Sequence, residues 1–162
     1  MTAAIVVIVS AYVILLTPIE PTSAPPIPFE CKFDTELSHG FEEMYLTHGT
    51  FGASVFVSPR GGSGTIVAVV TSNSDLTWDL NLSMGPLPPG VTVTIDRPRV
   101  TLEPRGRIRA ELIVEVSPTA PTTTPGLPPT IPATNVWVNI SGLEVERRSE
   151  VQGAFGFLLV IK

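Results

Sequence analysis

Three groups of residues carry side chains whose types could do chemistry. The segment Phe29–Gly49 holds both histidines, His39 and His48, with Asp34, Glu36, Glu42 and Glu43 nearby. Imidazole and carboxylate groups bind metal ions, but this spacing matches no recognised ligand pattern. We therefore predict no metal site and interpret Phe29–Gly49 as a first strand or turn that packs Phe33, Phe41 and Tyr45 on a core.

The single cysteine, Cys31, forms the second group. It cannot form an internal disulfide, and nothing in the sequence marks it as a nucleophile. No G-x-S-x-G elbow and no phosphate-binding loop occur either. These observations predict an inert, buried thiol, no catalytic residues, no cofactor and no enzyme activity.

Two N-x-S sequons form the third group, at Asn81-Leu82-Ser83 and Asn139-Ile140-Ser141. Such a tripeptide accepts an N-linked glycan when it lies on the surface of an exported protein. Both asparagines occupy the polar side of strands that alternate in polarity, so Asn81 and Asn139 are candidate glycosylation sites.

These groups are carried by a chain of 162 residues, which suffices for one domain plus an appendage. Only 15% of the residues are charged, and the net charge is -5. Without a basic patch, nucleic-acid binding is not expected. The 17 prolines and 13 glycines favour many turns and short strands over helices.

The first 17 residues, MTAAIVVIVSAYVILLT, are almost wholly apolar and carry no charged side chain. A run of this kind must be cleaved off, lie in lipid, or be buried against other protein. A signal peptide lacks its basic region here, and a membrane span needs about 20 apolar residues, slightly more than this run offers. Burial among neighbouring copies is the third possibility, as a helix that is hydrophobic on all sides. Such an assembly core would comprise Ala3, Ala4, Ile5, Val6, Val7, Ile8, Val9, Ala11, Tyr12, Val13, Ile14, Leu15 and Leu16.

The many valines and isoleucines leave a second conformation open, because β-branched residues also favour strands. A strand formed by residues 2–17 could complete the sheet of a neighbouring subunit. The continuous apolar pattern suits a helix better than an alternating donor strand. Residues 18–28, PIEPTSAPPIP, contain five prolines and predict a semi-rigid extended linker.

Beyond the linker, strand and turn signals recur to the end of the chain. Regular alternation predicts half-buried strands at Leu76–Met84, Arg107–Val116 and Asn135–Ser141, with Leu143–Val151 as a further strand. The apolar Ala154–Lys162 is predicted as a final paired core strand. Seven or eight such strands predict a β-sandwich over residues 29–162. A Pro/Thr-rich segment, residues 117–134, is expected to be a surface loop.

In layout the chain resembles a processed archaeal type IV pilin or a related archaeal filament subunit. Residues 87–121, LPPGVTVTIDRPRVTLEPRGRIRAELIVEVSPTAP, are similar to extracellular immunoglobulin-like modules. The resemblance implies a mainly β fold, an immunoglobulin-like β-sandwich preceded by a hydrophobic N-terminal α-helix. It also implies an extracellular, cell-surface filament of identical subunits that wait in the membrane before assembly. Two alternatives stay open: a donor-strand fibre and a membrane-anchored surface binding module.

Overall fold

The described part of the chain forms ten β-strands, whose buried side chains face a common interior. A computed structural model describes residues 28–47, 53–123 and 134–162 of the chain. Within those three ranges, no helix is long and apolar enough to cross a membrane. The predicted helix of residues 1–17 lies outside the described residues, as does all of the linker except Pro28. The strands are β1 (Phe29–His39), β2 (Glu43–Leu46), β3 (Ser54–Ser58), β4 (Ser63–Ser72), β5 (Trp78–Met84), β6 (Val91–Ile95), β7 (Arg99–Leu102), β8 (Arg107–Val116), β9 (Thr134–Glu144) and β10 (Glu150–Ile161).

The strands pair into two sheets. One sheet has four strands in the order β1-β4-β8-β6, and the other has six in the order β2-β3-β10-β9-β5-β7. Nearly all neighbours are antiparallel, but β3 runs parallel to β10. The prediction of a mainly β protein built as a sandwich of two sheets is thereby confirmed.

The hydrophobic core lies between the two sheets. Phe33 of the four-stranded sheet meets Phe56 and Phe157 of the six-stranded sheet edge to face, with ring centroids 6.4 and 5.2 Å apart. In β5, β8 and β9 every second residue is buried, as the sequence alternation predicts. Side chains from the two inner faces interdigitate in this way in sandwich proteins generally.

The last strand is confirmed as a paired core strand. β10 lies between β3 and β9, and its side chains Phe157, Leu159 and Ile161 are at most 2% exposed. β10 is therefore an interior strand of the six-stranded sheet, and β2 and β7 are that sheet's edge strands.

The predicted strand Leu143–Val151 is wrong. Two long strands meet there in a hairpin whose turn spans Val145–Ser149. The buried carboxylate of Glu144 makes this turn possible, because it accepts hydrogen bonds from the amides of Glu146 and Arg147 at 2.8 and 2.6 Å. Arg148 takes the left-handed φ of 60° that a glycine often supplies in a tight turn.

The prediction that Tyr45 packs on the core is also wrong. Tyr45 is 40% exposed, because β2 is an edge strand that turns this side chain to the outside. Met44 takes the inner position instead, while Phe33 and Phe41 pack against the core as predicted.

Candidate functional site

The two sequons lie side by side on adjacent strands. In the register of β5 with β9, Asn81 is opposite Ser141 and Ser83 is opposite Asn139. Each acceptor asparagine therefore faces the serine of the other sequon. All four side chains are exposed. We call the outer surface of β5, β9 and β10 around these four residues the sequon face.

An exposed tryptophan completes the sequon face. Trp137 is 46% exposed and precedes Asn139 by two residues in β9, so both side chains leave the same side of the sheet. Glycines flank it on both sides, Gly156 in β10 and Gly85 directly after β5. A Cβ atom at Gly156 would stand 2.9 Å from Cε3 of the indole, and one at Gly85 would stand 3.2 Å from the Cβ of Trp137. The indole therefore occupies space that only glycine leaves open.

The centre of the sequon face carries no formal charge. On β10, Gln152 is opposite Ser141, and Ala154 is opposite Asn139. Charged residues border Asn81, since Arg99 of β7 is opposite it and Asp79 precedes it on the same side of β5. The surface around Trp137 and Asn139 thus combines one large aromatic ring with neutral amide and hydroxyl groups, which suits hydrogen bonding and stacking.

The outer surface of the four-stranded sheet has the opposite character. Its exposed positions carry charges of both signs, and an ion pair joins Lys32 to Glu30 at 2.8 Å. We call it the charged face, and its residues include Glu30, Lys32, Arg107, Arg109, Glu111 and Glu115. Exposed pairs of mixed sign keep a sheet soluble and contribute little to stability.

The described acidic residues of the first segment and His39 form no metal-binding group. Oδ1 of Asp34 accepts hydrogen bonds from the amides of Glu36 and Leu37, at 3.1 and 3.2 Å, so it caps its own turn. His39 is exposed, and His48 lies outside the described residues. Among the residues that the structure describes, no three His, Cys, Asp or Glu side chains are grouped so that they could hold a metal ion.

Cys31 faces the core from β1, packed against its outer layer. Burial, together with the neighbouring Glu30 carboxylate, raises the pKa of its thiol to about 12. A thiol reacts as its thiolate, so this environment leaves Cys31 unreactive near neutral pH.

The predicted assembly core, Ala3 to Leu16, lies outside the described residues. Asn81 and Asn139 are exposed, as alternation predicts, and the structure adds their reciprocal pairing. Trp137 is the residue that the sequence analysis did not single out. Its position two residues before Asn139, in a strand with Val136, Val138 and Ile140 on the inner side, is the signal that identifies it.

No protein-family model and no characterised protein matches the chain significantly. Solved structures do resemble it. A FixG-related protein from Vibrio parahaemolyticus is 9% identical with a TM-score of 0.40, over 82% of this chain and 97% of that chain. A PapD-like domain of human CEP192 is 9% identical with a TM-score of 0.48, over 89% and 91%. The periplasmic chaperone SfaE is 14% identical with a TM-score of 0.44, over 74% and 57%. These likenesses are too distant to carry an argument, so the fold and the site rest on this chain's own residues.

Proposed function

We propose that this chain is a structural subunit of an extracellular filament of the archaeal type IV pilus kind. Residues 1–17 polymerise as an apolar helix, residues 18–28 carry the chain outwards, and the immunoglobulin-like head of residues 29–162 forms the outer wall and serves adhesion. Its partners are identical subunits, with the membrane holding the helix before assembly. It binds no nucleic acid and catalyses no reaction.

The observation that carries the proposal is that the head has a core of its own. Both sheets supply it from described residues, from Phe29 at one end to Ile161 at the other. An apolar run that a folded head does not require for its core must find burial elsewhere, and neighbouring copies provide it.

The position of β10 supports a helical joint over a donor strand. In donor-strand fibres a segment of one subunit completes the sheet of the next. Here the chain's own last strand already fills the place between β3 and β9, with Leu159 fully buried and paired to both neighbours. A donor strand would be confined to an edge such as β2 or β7.

A charge in the apolar run tests the proposal. Val9→Asp or Val13→Asp should abolish filaments, because a carboxylate inside a helix bundle costs several kcal/mol unless it is paired. Val9→Ile is the matched control, since it keeps the apolar character and should assemble normally. Electron microscopy of sheared cell-surface material reads out assembly, and circular dichroism of the head reads out folding. Normal filaments from Val9→Asp would refute the assembly core.

The half-exposed Trp137 favours a second candidate, a membrane-anchored surface binding module. Exposed aromatic side chains are enriched at recognition surfaces. Detergent would release such a module as a monomer, whereas shear releases a filament. A monomer in the detergent extract, with no filament in the sheared fraction, would put this candidate first.

A further inference from the structure

The environments of the two sequons differ in one respect. Asn139 is preceded two residues earlier by Trp137, and Asn81 is preceded at the same spacing by Asp79. Two residues along a strand separate side chains of one face by about 6.7 Å, roughly the width of a sugar ring. A pyranose attached to Asn139 therefore comes within reach of the indole, while one attached to Asn81 finds a carboxylate at the same distance.

The indole packs on a neighbouring strand before any sugar arrives. A Cβ atom at Gly156 would stand 2.9 Å from Cε3 and 3.2 Å from Cδ2 of Trp137, so the ring lies against the backbone of β10. On the other side, the amide of Gly85 donates a 2.8 Å hydrogen bond to the carbonyl of Trp137. The amide nitrogen of Asn139, Nδ2, lies 3.9 Å from the position of a Cβ at Gly85. The ring thus lies towards β10 and the acceptor amide towards the end of β5, and both are on the outer side of β9.

We propose that Asn139 carries an N-linked glycan whose first sugar ring packs on the indole of Trp137. The apolar face of a pyranose fits an aromatic ring, and its hydroxyl groups can stay hydrated at the exposed surface. Attachment joins Nδ2 of Asn139 to the anomeric carbon of an activated, lipid-linked sugar. The lipid phosphate leaves with the bonding electrons, and Nδ2 loses one proton.

The register of the two strands also bears on which of the two asparagines carries the glycan. Because Asn139 is opposite Ser83, the residues Asn81 and Asn139 are diagonal neighbours, about 7–8 Å apart. Two branched glycans would crowd each other at this distance. Asn139 is therefore the site whose glycan can pack on the folded surface, because Trp137 lies beside it. This inference rests on the proposed function in one respect, export of the head from the cell.

Two serine substitutions test the proposal with a matched design. Ser141→Ala removes the Asn139 sequon and Ser83→Ala removes the Asn81 sequon, and both keep the asparagines. Peptide mass spectrometry on the full chain from the cell surface should find the glycan on Asn139. Acrylamide quenching then reports Trp137, because the other tryptophan, Trp78, is only 6% exposed. The quenching constant should rise roughly two-fold in Ser141→Ala, since the sugar covers one face of the ring.

The control protein should behave like the natural one, with quenching unchanged in Ser83→Ala. The Tm of Ser141→Ala should fall by roughly 2–4 °C, the shift that the loss of one aromatic stacking contact gives in a domain of this size. In a Trp137→Ala background, Ser141→Ala should no longer lower the Tm.

Several outcomes would overturn the inference. A bare Asn139 in exported protein would do so, as would equal quenching with and without the glycan. So would a bare Asn139 together with binding of added free oligosaccharides that Trp137→Ala abolishes, because the ring would then serve a ligand from outside. Filaments with neither sequon occupied would sink this inference alone. A glycan on Asn139 of a monomeric, membrane-anchored protein would refute the filament and support the inference.

Discussion

Trp78 and Trp137 lie on adjacent strands of one sheet, on opposite sides of it. Trp78 points inwards, is 6% exposed and meets the ring of Phe29 edge to face with centroids 6.4 Å apart. Trp137 points outwards and is 46% exposed. Both rest beside glycines of a neighbouring strand, Gly142 inside and Gly156 outside. Each tryptophan therefore packs beside a glycine of the next strand, but only Trp78 is covered by the opposite sheet.

The difference shows what each ring depends on. Trp78 is packed against the opposite sheet, and its Nε1 hydrogen has no acceptor within the described part of the chain. An unpaired buried donor costs free energy. Packing outweighs that loss. No opposite sheet covers Trp137, and the neutral sequon face around it is where a further group can add contacts.

The largest expected effect is on the inner ring. Trp78→Ala should lower the free energy of unfolding by about 3–5 kcal/mol, because it leaves a cavity between the sheets. Urea denaturation measures this. Trp78→Phe is the control: it keeps most of the packing, removes the unpaired donor and should cost less than about 1.5 kcal/mol. A loss below 1 kcal/mol for Trp78→Ala would mean that the two rings are equally dispensable.

Alanine substitutions at Gly142 and Gly156 should differ in the same direction as the two tryptophans, with the larger loss of stability on the inner side. A Cβ at Gly142 would stand 3.0 Å from the half-buried Val151 and 3.1 Å from the buried Leu80. Gly142→Ala should therefore cost about 1–3 kcal/mol. Gly156→Ala should cost less than Gly142→Ala: the exposed indole can turn away from the new Cβ, and alanine stiffens the unfolded chain, although the carbonyl oxygen of Val136 stands 3.1 Å from that Cβ. Its effect should appear as increased acrylamide quenching instead, and equal costs at both glycines would contradict the comparison.

How much of this the sequence predicts follows from the range of each signal. Alternation within β5 and β9 places Trp78 inside and Asn81 and Asn139 outside, because the period of two is a local property. The pairing of Asn81 with Ser141 depends on the register between strands that are far apart in the sequence, which local alternation does not encode.

The turn between β9 and β10 shows the other limit. Residues 145–149 contain no glycine or proline, so the turn gives no signal in the sequence. A buried side chain, Glu144, organises it by accepting two backbone amides. A carboxylate in this role is indistinguishable in the sequence from a solvated surface charge, and the segment was therefore predicted as one continuous strand.

Cys31 lies on the inner side of the sandwich, so the reactivity of its thiol reports on that side. Its pKa of about 12 lies above the ordinary 9.0, so the folded state retains the proton to higher pH. The resulting stabilisation is complete below pH 9 and is lost as pH rises from 9 towards 12. Native protein at pH 8 should react with iodoacetamide far more slowly than urea-unfolded protein. The stability advantage over Cys31→Ala should shrink above pH 9, and rapid native alkylation at pH 8 would place the thiol in solvent.

The smallest expected effect is on the outer ring of the unglycosylated protein. Trp137→Ala should lower the free energy of unfolding by about 1 kcal/mol or less, because the residue contributes mainly the strand preference of an aromatic side chain. The urea midpoint should stay close to that of the natural chain, and the Trp78 emission should be unchanged. A loss as large as that of Trp78→Ala would mean that Trp137 belongs to the structural framework. A small loss would mean that the sheet does not need Trp137, or the glycines Gly85 and Gly156 beside it, for its own stability. The arrangement would then be explained by the proposed glycan on Asn139.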